Sequence, residues 1–326
     1  LSLGCWNYDR TRALADGRVK AEGIDLTYLD MPVEETFFRM LRHQEFDVAE
    51  MSLSSYTVSL FREKKNFVAI PVFPSRFFRH SCIYVNAKSG IREPKDLIGK
   101  KVGTPEYQMT APVWIRGILQ DEYGVPVDSV TYYTGGEEEP NRSEKLKLDL
   151  PANIKVQPIG PNDTLAAMLR DGKIDALYTA RMPSTYKAGQ DGPVRRLFED
   201  YVPVEQAYYR KTRIFPIMHT VAIKRAIYER DPWVAMSLQK AFVKSQKETY
   251  DDLYVTAALK AMLPWLTKHV EDARALMGED FWPYGFEANR ETLATFLRYH
   301  HEQGLSKKRL QPEELFAPET LESFKI

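Results

Sequence analysis

Two guanidinium groups and an imidazole crowd into Phe73-Pro74-Ser75-Arg76-Phe77-Phe78-Arg79-His80-Ser81. Arginine is permanently charged and presents a planar fork of donors matched to carboxylates. An apolar run over 67–73 leads into the stretch, and a strand-like run over 82–85 leaves it. Cations set beside aromatic rings between buried strands are costly unless something anionic meets them. The pattern points to a pocket for a flat, acid-bearing ligand. The competing reading pairs one arginine with a local carboxylate and turns the other to water. A second imidazole, His219, sits inside the apolar run 214–223. Imidazole titrates near neutrality, which makes His219 and His80 candidate proton donors. Alone, a histidine in an apolar strand is more often a hydrogen-bonded core residue.

These groups need elements to hold them. Strands are expected over 1–6, 24–29, 46–51 and 67–73, with a short helix over 12–15 and a longer one over 33–43 opened by Pro32. Ser52-Leu53-Ser54-Ser55 caps a further helix running to about Arg62. This is the alternation of an open α/β sheet. A second unit begins near Ser81, with strands over 82–85, 127–134 and 154–159, a turn and strand over 172–178, and a helix over 113–123. The stretch 135–151 is polar, carries the acidic run Glu137 to Glu139, and has no apolar periodicity. Its length suits a lid or a contact surface, or simply a solvated excursion. The remainder reads as helices over 232–250, 256–266, 269–277 and 289–302.

At 326 residues the chain has room for two domains. Lys+Arg and Asp+Glu are both 45, so nothing argues for nucleic acid or an anionic membrane surface as partner. No apolar run reaches the length of a membrane span. Cys5 and Cys82 are too few for a disulfide framework and read as buried thiols. The opening residues look like a strand and not a signal peptide, and with the thiols this favours the cytoplasm.

Gly90-Ile91 through Asp96-Leu97-Ile98-Gly99-Lys100-Lys101-Val102-Gly103, and Gly172-Lys173-Ile174-Asp175-Ala176-Leu177, resemble the second lobe of type II periplasmic-binding-protein folds. That resemblance implies two α/β lobes with a ligand cleft between them and a helical C-terminal tail. Lobe 1 would comprise 1–81 and 216–326, and lobe 2 would comprise 82–215. More narrowly, Cys5 to Thr11, Ala49 to Tyr56, Pro71 to His80, Pro105 to Thr110, Ile214 to Thr220 and Phe296 to Leu305 are similar to the 4,5-dihydroxyphthalate decarboxylase family.

The family implies loss of CO2 from a dihydroxylated aromatic dicarboxylate, giving protocatechuate. Such chemistry needs a proton donor over the ring, an acceptor at the phenol oxygens, and cations for the retained carboxylate. His219 and His80 are the candidate donors, and Asp9 and Glu106 the candidate acceptors. Arg76, Arg79, Arg10 and Arg181 are the candidate carboxylate ligands. Trp6, Phe77 and Tyr107 would sandwich the ring, with Tyr8 and Phe78 beside them. Ser54, Ser55 and Thr110 lie at expected helix N-termini, where anions bind. The cofactor stays open between none and a divalent metal ion held by His80, His219, Asp9 and Glu106. The expected partner is a small aromatic dicarboxylate, and the tail offers a surface for a homo-oligomer. A non-catalytic solute-binding protein for an aromatic acid is the alternative.

Overall fold

Short β-branched runs punctuated by glycine, proline and capping serines build two separate sheets. The computed structural model describes residues 1–322. In chain order the strands are β1 Ser2–Cys5, β2 Thr27–Asp30, β3 Val48–Ser52, β4 Phe67–Ile70, β5 Ile83–Asn86, β6 Lys101–Thr104, β7 Thr131–Thr134, β8 Lys155–Pro158, β9 Ala176–Tyr178, β10 Val194–Arg196 and β11 His219–Lys224. The chain divides into two units. Unit 1 holds Leu1–Arg76, Ile217–Leu293 and the stretch from Gln311 onward; unit 2 holds Phe77–Pro216 and Ala294–Leu310.

The sheet of unit 1 runs β2-β1-β3-β11-β4. β1 lies parallel to β2 and β3, and β11 is antiparallel to β3 and β4. Every residue of β3 is buried, the acidic Glu50 included. Helix Val33–His43 places Phe37 and Met40 in the core. Ser52 caps helix Leu53–Ser59 by accepting a hydrogen bond from the Ser55 N–H, so the helix starts where its serines predict and stops short of Arg62.

Unit 2 is a sheet of order β10-β5-β9-β6-β7-β8, with β9, β6, β7 and β8 mutually parallel along the row. Tyr84, Leu165, Leu169, Ile174, Leu177 and Val194 pack together on it. The segment 294–310 belongs here, not with lobe 1 as its place near the C-terminus suggests. Trp114 packs on Phe296 and Tyr299 with ring centroids 5.6 and 5.7 Å apart, and Arg116 Nε donates to Gln303 Oε1 at 2.7 Å. Gly117 makes room for this packing, because a Cβ there would lie 2.1 Å from the Tyr299 ring.

The stretch expected as a helix over 256–266 is irregular. Pro264 interrupts it, and Leu259, Met262, Leu263 and Trp265 are exposed. Among the described residues no helix is long and apolar enough to cross a membrane.

Candidate active site

Glu50 organises unit 1. Strand pairing sets His219 opposite Ser52 and Val221 opposite Glu50, so Glu50 and His219 are diagonal neighbours on one face of the sheet. His219 Nδ1 lies 2.6 Å from Glu50 Oε1. Tyr8 Oη donates to the same oxygen at 2.7 Å. The Trp6 N–H donates to Oε2 at 3.2 Å, and the Cys5 thiol lies 3.7 Å from it.

Burial alone would raise the pKa of this fully buried carboxyl. The His219 ring, the Tyr8 hydroxyl and the Trp6 N–H outweigh burial and hold it below the usual carboxylate range. An ionised carboxylate only accepts, so Nδ1 of His219 is the donor in this pair. The other ring nitrogen, Nε2, makes no hydrogen bond among the described residues, and the side chain is 16% exposed. Phe37 meets the imidazole edge-on with centroids 4.8 Å apart. Burial, then the Glu50 charge, pushes the Tyr8 hydroxyl and the Cys5 thiol upward, so both stay neutral donors. Tyr28 supports the turn: its hydroxyl donates to the Trp6 carbonyl at 2.8 Å and lies 2.9 Å from the Thr11 hydroxyl.

Arg10 stands beside this cluster. Its guanidinium stacks on Tyr8 at 4.1 Å and on Trp282 at 4.4 Å. Nε donates to the Pro74 carbonyl and Nη1 to Asp9. Asp9 is thus paired with its neighbour and half-exposed. Trp6 exposes its ring.

The remaining residues singled out in sequence fall elsewhere. Arg76 is buried in unit 1, where Nη2 donates to the Pro283 carbonyl and to Asn289 Oδ1. Those acceptors stand where an anionic ligand was expected. Ser54 and Ser55 are buried in the first turn of helix Leu53–Ser59.

In unit 2, Arg79 is buried, stacks on the exposed Phe77 at 4.7 Å and meets Cys82 Sγ at 3.5 Å. Phe78 stacks on Phe215. His80 is 1% exposed among Tyr123, Phe198 and Tyr208, and neither ring nitrogen has a hydrogen-bond partner among the described residues. Burial lowers its pKa to about 4, so it sits as a neutral packed ring. Tyr107 is fully buried, with Oη donating to the Gln303 carbonyl and its face covered by Arg116. Thr110 opens helix Thr110–Tyr123 from a buried position. Arg181 is exposed just beyond β9.

Glu106 is buried and its Oε1 receives both Arg142 and Lys145. Burial opposes ionisation, but the two cations hold its pKa below the usual range, which makes it a poor acceptor for a phenolic proton. Among the described residues no three His, Cys, Asp or Glu side chains converge as a metal ion requires. His80, His219, Asp9 and Glu106 therefore do not form the metal site considered above, and no step below is routed through one.

Glu50 was missed in sequence. Its signal was a lone acid inside Val48-Ala49-Glu50-Met51, since a charge in an otherwise buried strand calls for partners.

The chain is 43% identical over 326 residues to 4,5-dihydroxyphthalate decarboxylase of Comamonas testosteroni, spanning all of this chain and 98% of that one. It is 41% identical over 210 residues to 4,5-dihydroxyphthalate decarboxylase of Pseudomonas putida, covering 64% of this chain and 81% of the relative. No family model matches. Among solved structures, the alkanesulfonate-binding protein SsuA from Xanthomonas axonopodis pv. citri bound to MOPS superposes with a TM-score of 0.53 at 13% identity, covering 97% of each chain. The periplasmic aliphatic sulphonate binding protein SsuA from Escherichia coli gives 0.51 at 14% identity, covering 98% of each. Those likenesses establish a two-lobed α/β fold of the periplasmic-binding-protein type. With 43% identity along the whole length, the chain belongs to the 4,5-dihydroxyphthalate decarboxylase family.

Proposed function

We propose that the protein is a carboxy-lyase that removes one carboxyl group of 4,5-dihydroxyphthalate as CO2 and releases protocatechuate. The observation that carries the residue assignment is the 2.6 Å pair of Glu50 and His219. Glu50 engages Nδ1 and so leaves Nε2 as the nitrogen that exchanges protons with a substrate. In this reading the protonated ring delivers its Nε2 proton to the ring carbon bearing the departing carboxylate. The hydroxyl para to that carbon supplies electron density. The carbon–carbon bond then breaks, its electron pair restores the aromatic ring, and CO2 leaves. His219 regains its proton from water.

Glu50 is a positioning residue, held in place by Tyr8 and the Trp6 N–H. The exposed Trp6 ring is the platform for the substrate's aromatic face. Arg10 has spent Nε and Nη1 on Pro74 and Asp9, and we assign its remaining Nη2 to a carboxylate. Two buried free cysteines suit a reducing compartment, and the proposal places the enzyme in the cytoplasm. A solute-binding role shares the fold, whereas the relatives at high identity bear the decarboxylase name.

The test is to incubate the purified protein with 4,5-dihydroxyphthalate, with and without a chelator, while following CO2 and product. Stoichiometric CO2 and protocatechuate are expected. Tight binding with no turnover would favour the solute-binding alternative.

A further inference from the structure

Trp282 is tethered in unit 1 by both of its backbone groups and by its ring. Its N–H donates to Tyr250 Oη at 2.9 Å, and its carbonyl accepts from Gln246 Nε2 at 2.6 Å. Gln246 and Tyr250 are one turn apart on helix Trp233–Leu253, so a single face of that helix catches both groups. The indole Nε1 donates to the Phe73 carbonyl at 2.9 Å. Pro283 follows, and a residue before proline is biased to extended backbone.

The backbone beyond it is fixed as well. Arg76 Nη2 donates to the Pro283 carbonyl at 2.7 Å. Asn289 Nδ2 donates to the same carbonyl at 3.0 Å and to the Gly285 carbonyl at 2.7 Å. The Gly285 N–H donates to the Pro71 carbonyl at 2.8 Å. The buried arginine that reads in sequence as a carboxylate ligand therefore anchors the segment carrying Trp282.

The tether ends at Arg10. Trp282 and Arg10 hang from consecutive carbonyls, the indole from Phe73 and Arg10 Nε from Pro74. That shared ledge sets the guanidinium carbon 4.4 Å from the indole centroid, and Tyr8 meets it at 4.1 Å. Stacking against rings holds a planar guanidinium in orientation. Asp9 occupies Nη1, and Nη2 makes no hydrogen bond among the described residues. Tyr8 in turn donates to Glu50, which positions His219. One connected set of contacts inside unit 1 thus ties the guanidinium to the imidazole.

We infer that Trp282 is a positioning residue for substrate binding: it holds Arg10 so that Nη2 faces a carboxylate of an aromatic diacid. Its effect is exerted through Arg10 and vanishes where the guanidinium is absent. The inference deepens the decarboxylase reading and rests on it for the identity of the diacid.

The experiment titrates phthalate calorimetrically into wild type, Trp282→Leu, Trp282→Phe, Arg10→Met and the double variant Arg10→Met with Trp282→Leu. Steady-state CO2 release from 4,5-dihydroxyphthalate is followed alongside. Phthalate has no ring hydroxyl to supply electron density, so it reports binding without turnover. Trp282→Leu is expected to weaken phthalate binding by about tenfold, the order of a partly desolvated cation–aromatic contact. Trp282→Phe keeps a ring face and loses less. In the Arg10→Met background Trp282→Leu changes the affinity no further, the non-additivity of two groups acting as one. Turnover shows KM raised by a similar factor with kcat nearly kept, because Arg10 grips the carboxylate in ground and transition state alike. A tryptophan that only packs predicts the same loss in both backgrounds. That result, no loss in Trp282→Leu, or wild type that does not bind phthalate overturns the inference. Should Trp282→Leu fail to fold, the cycle runs with Trp282→Phe, which must lose affinity only where Arg10 is present. Non-additivity without CO2 release by wild type sinks the decarboxylase reading and keeps the inference. CO2 release with additive losses sinks the inference alone.

Discussion

Glu50 and His219 are 169 positions apart in sequence and diagonal neighbours across two antiparallel strands, with Oε1 and Nδ1 at 2.6 Å. The carboxylate has no exposed surface, so its charge is tolerated only because several donors converge on it. The imidazole is the member of the pair that still meets solvent.

His219→Asn keeps a hydrogen-bonding group at this place and removes the titratable nitrogen. Turnover should fall by about 10²–10⁴-fold, the usual share of a general acid, with a much smaller change in KM. The measurement is steady-state CO2 release, and an unchanged rate eliminates the assignment.

The depressed pKa of Glu50 ties stability to pH. Its folded value lies below its unfolded value, so the stabilisation is present above the unfolded carboxylate range and is lost as pH falls through the folded value. Thermal melts should therefore show wild type losing stability on acidification more steeply than Glu50→Gln. At neutral pH Glu50→Ala, which strands the Tyr8 and His219 donors, should cost about 3–5 kcal/mol in denaturant melts.

Glu144 carries the opposite sign. Burial and Glu106 raise it to about 7, above its unfolded value. Its contribution is present at low pH and declines as pH rises toward and past about 7. Glu144→Gln keeps an acceptor for the Tyr107 N–H, and a flipped Gln108 amide offers its oxygen to the new donor. The variant should melt higher than wild type at pH above about 7 and show little gain near the usual carboxylate range. Equal shifts at both ends would contradict this.

Gly117 carries the packing of 294–310 into unit 2. Gly117→Ala drives a methyl into the Tyr299 ring and should destabilise by about 1–3 kcal/mol, the ordinary cost of overpacking. Urea unfolding followed by tryptophan fluorescence reports it through Trp114, which packs on Tyr299. A neutral result would mean that the helix Arg290–Glu302 yields without cost.

Local chemistry made much of the architecture legible. Pro32, the caps at Ser52 and the alternation in β1 to β4 mark elements from near neighbours alone, and the two-unit α/β plan follows from their order. The helix expected over 256–266 did not form: Pro264 interrupts it, Leu259, Met262, Leu263 and Trp265 stay exposed, and a short helix without burial is marginal in water. Arg76 and Arg79 were recognisable as cations needing partners, but which partners was a matter of packing. Asn289 and Pro283 reach Arg76 from more than 200 positions away.

The sequence by itself determined the types of group present, the approximate element boundaries and the family resemblance. Tertiary structure alone decided that Glu50 partners His219, that His80 is sealed among aromatic rings, and that Arg142 and Lys145 converge on Glu106. The reason is register. A shift of one residue in the pairing of β3 with β11 would turn Glu50 and His219 to opposite faces, and nothing within either strand's own sequence specifies which residue of the other it will meet.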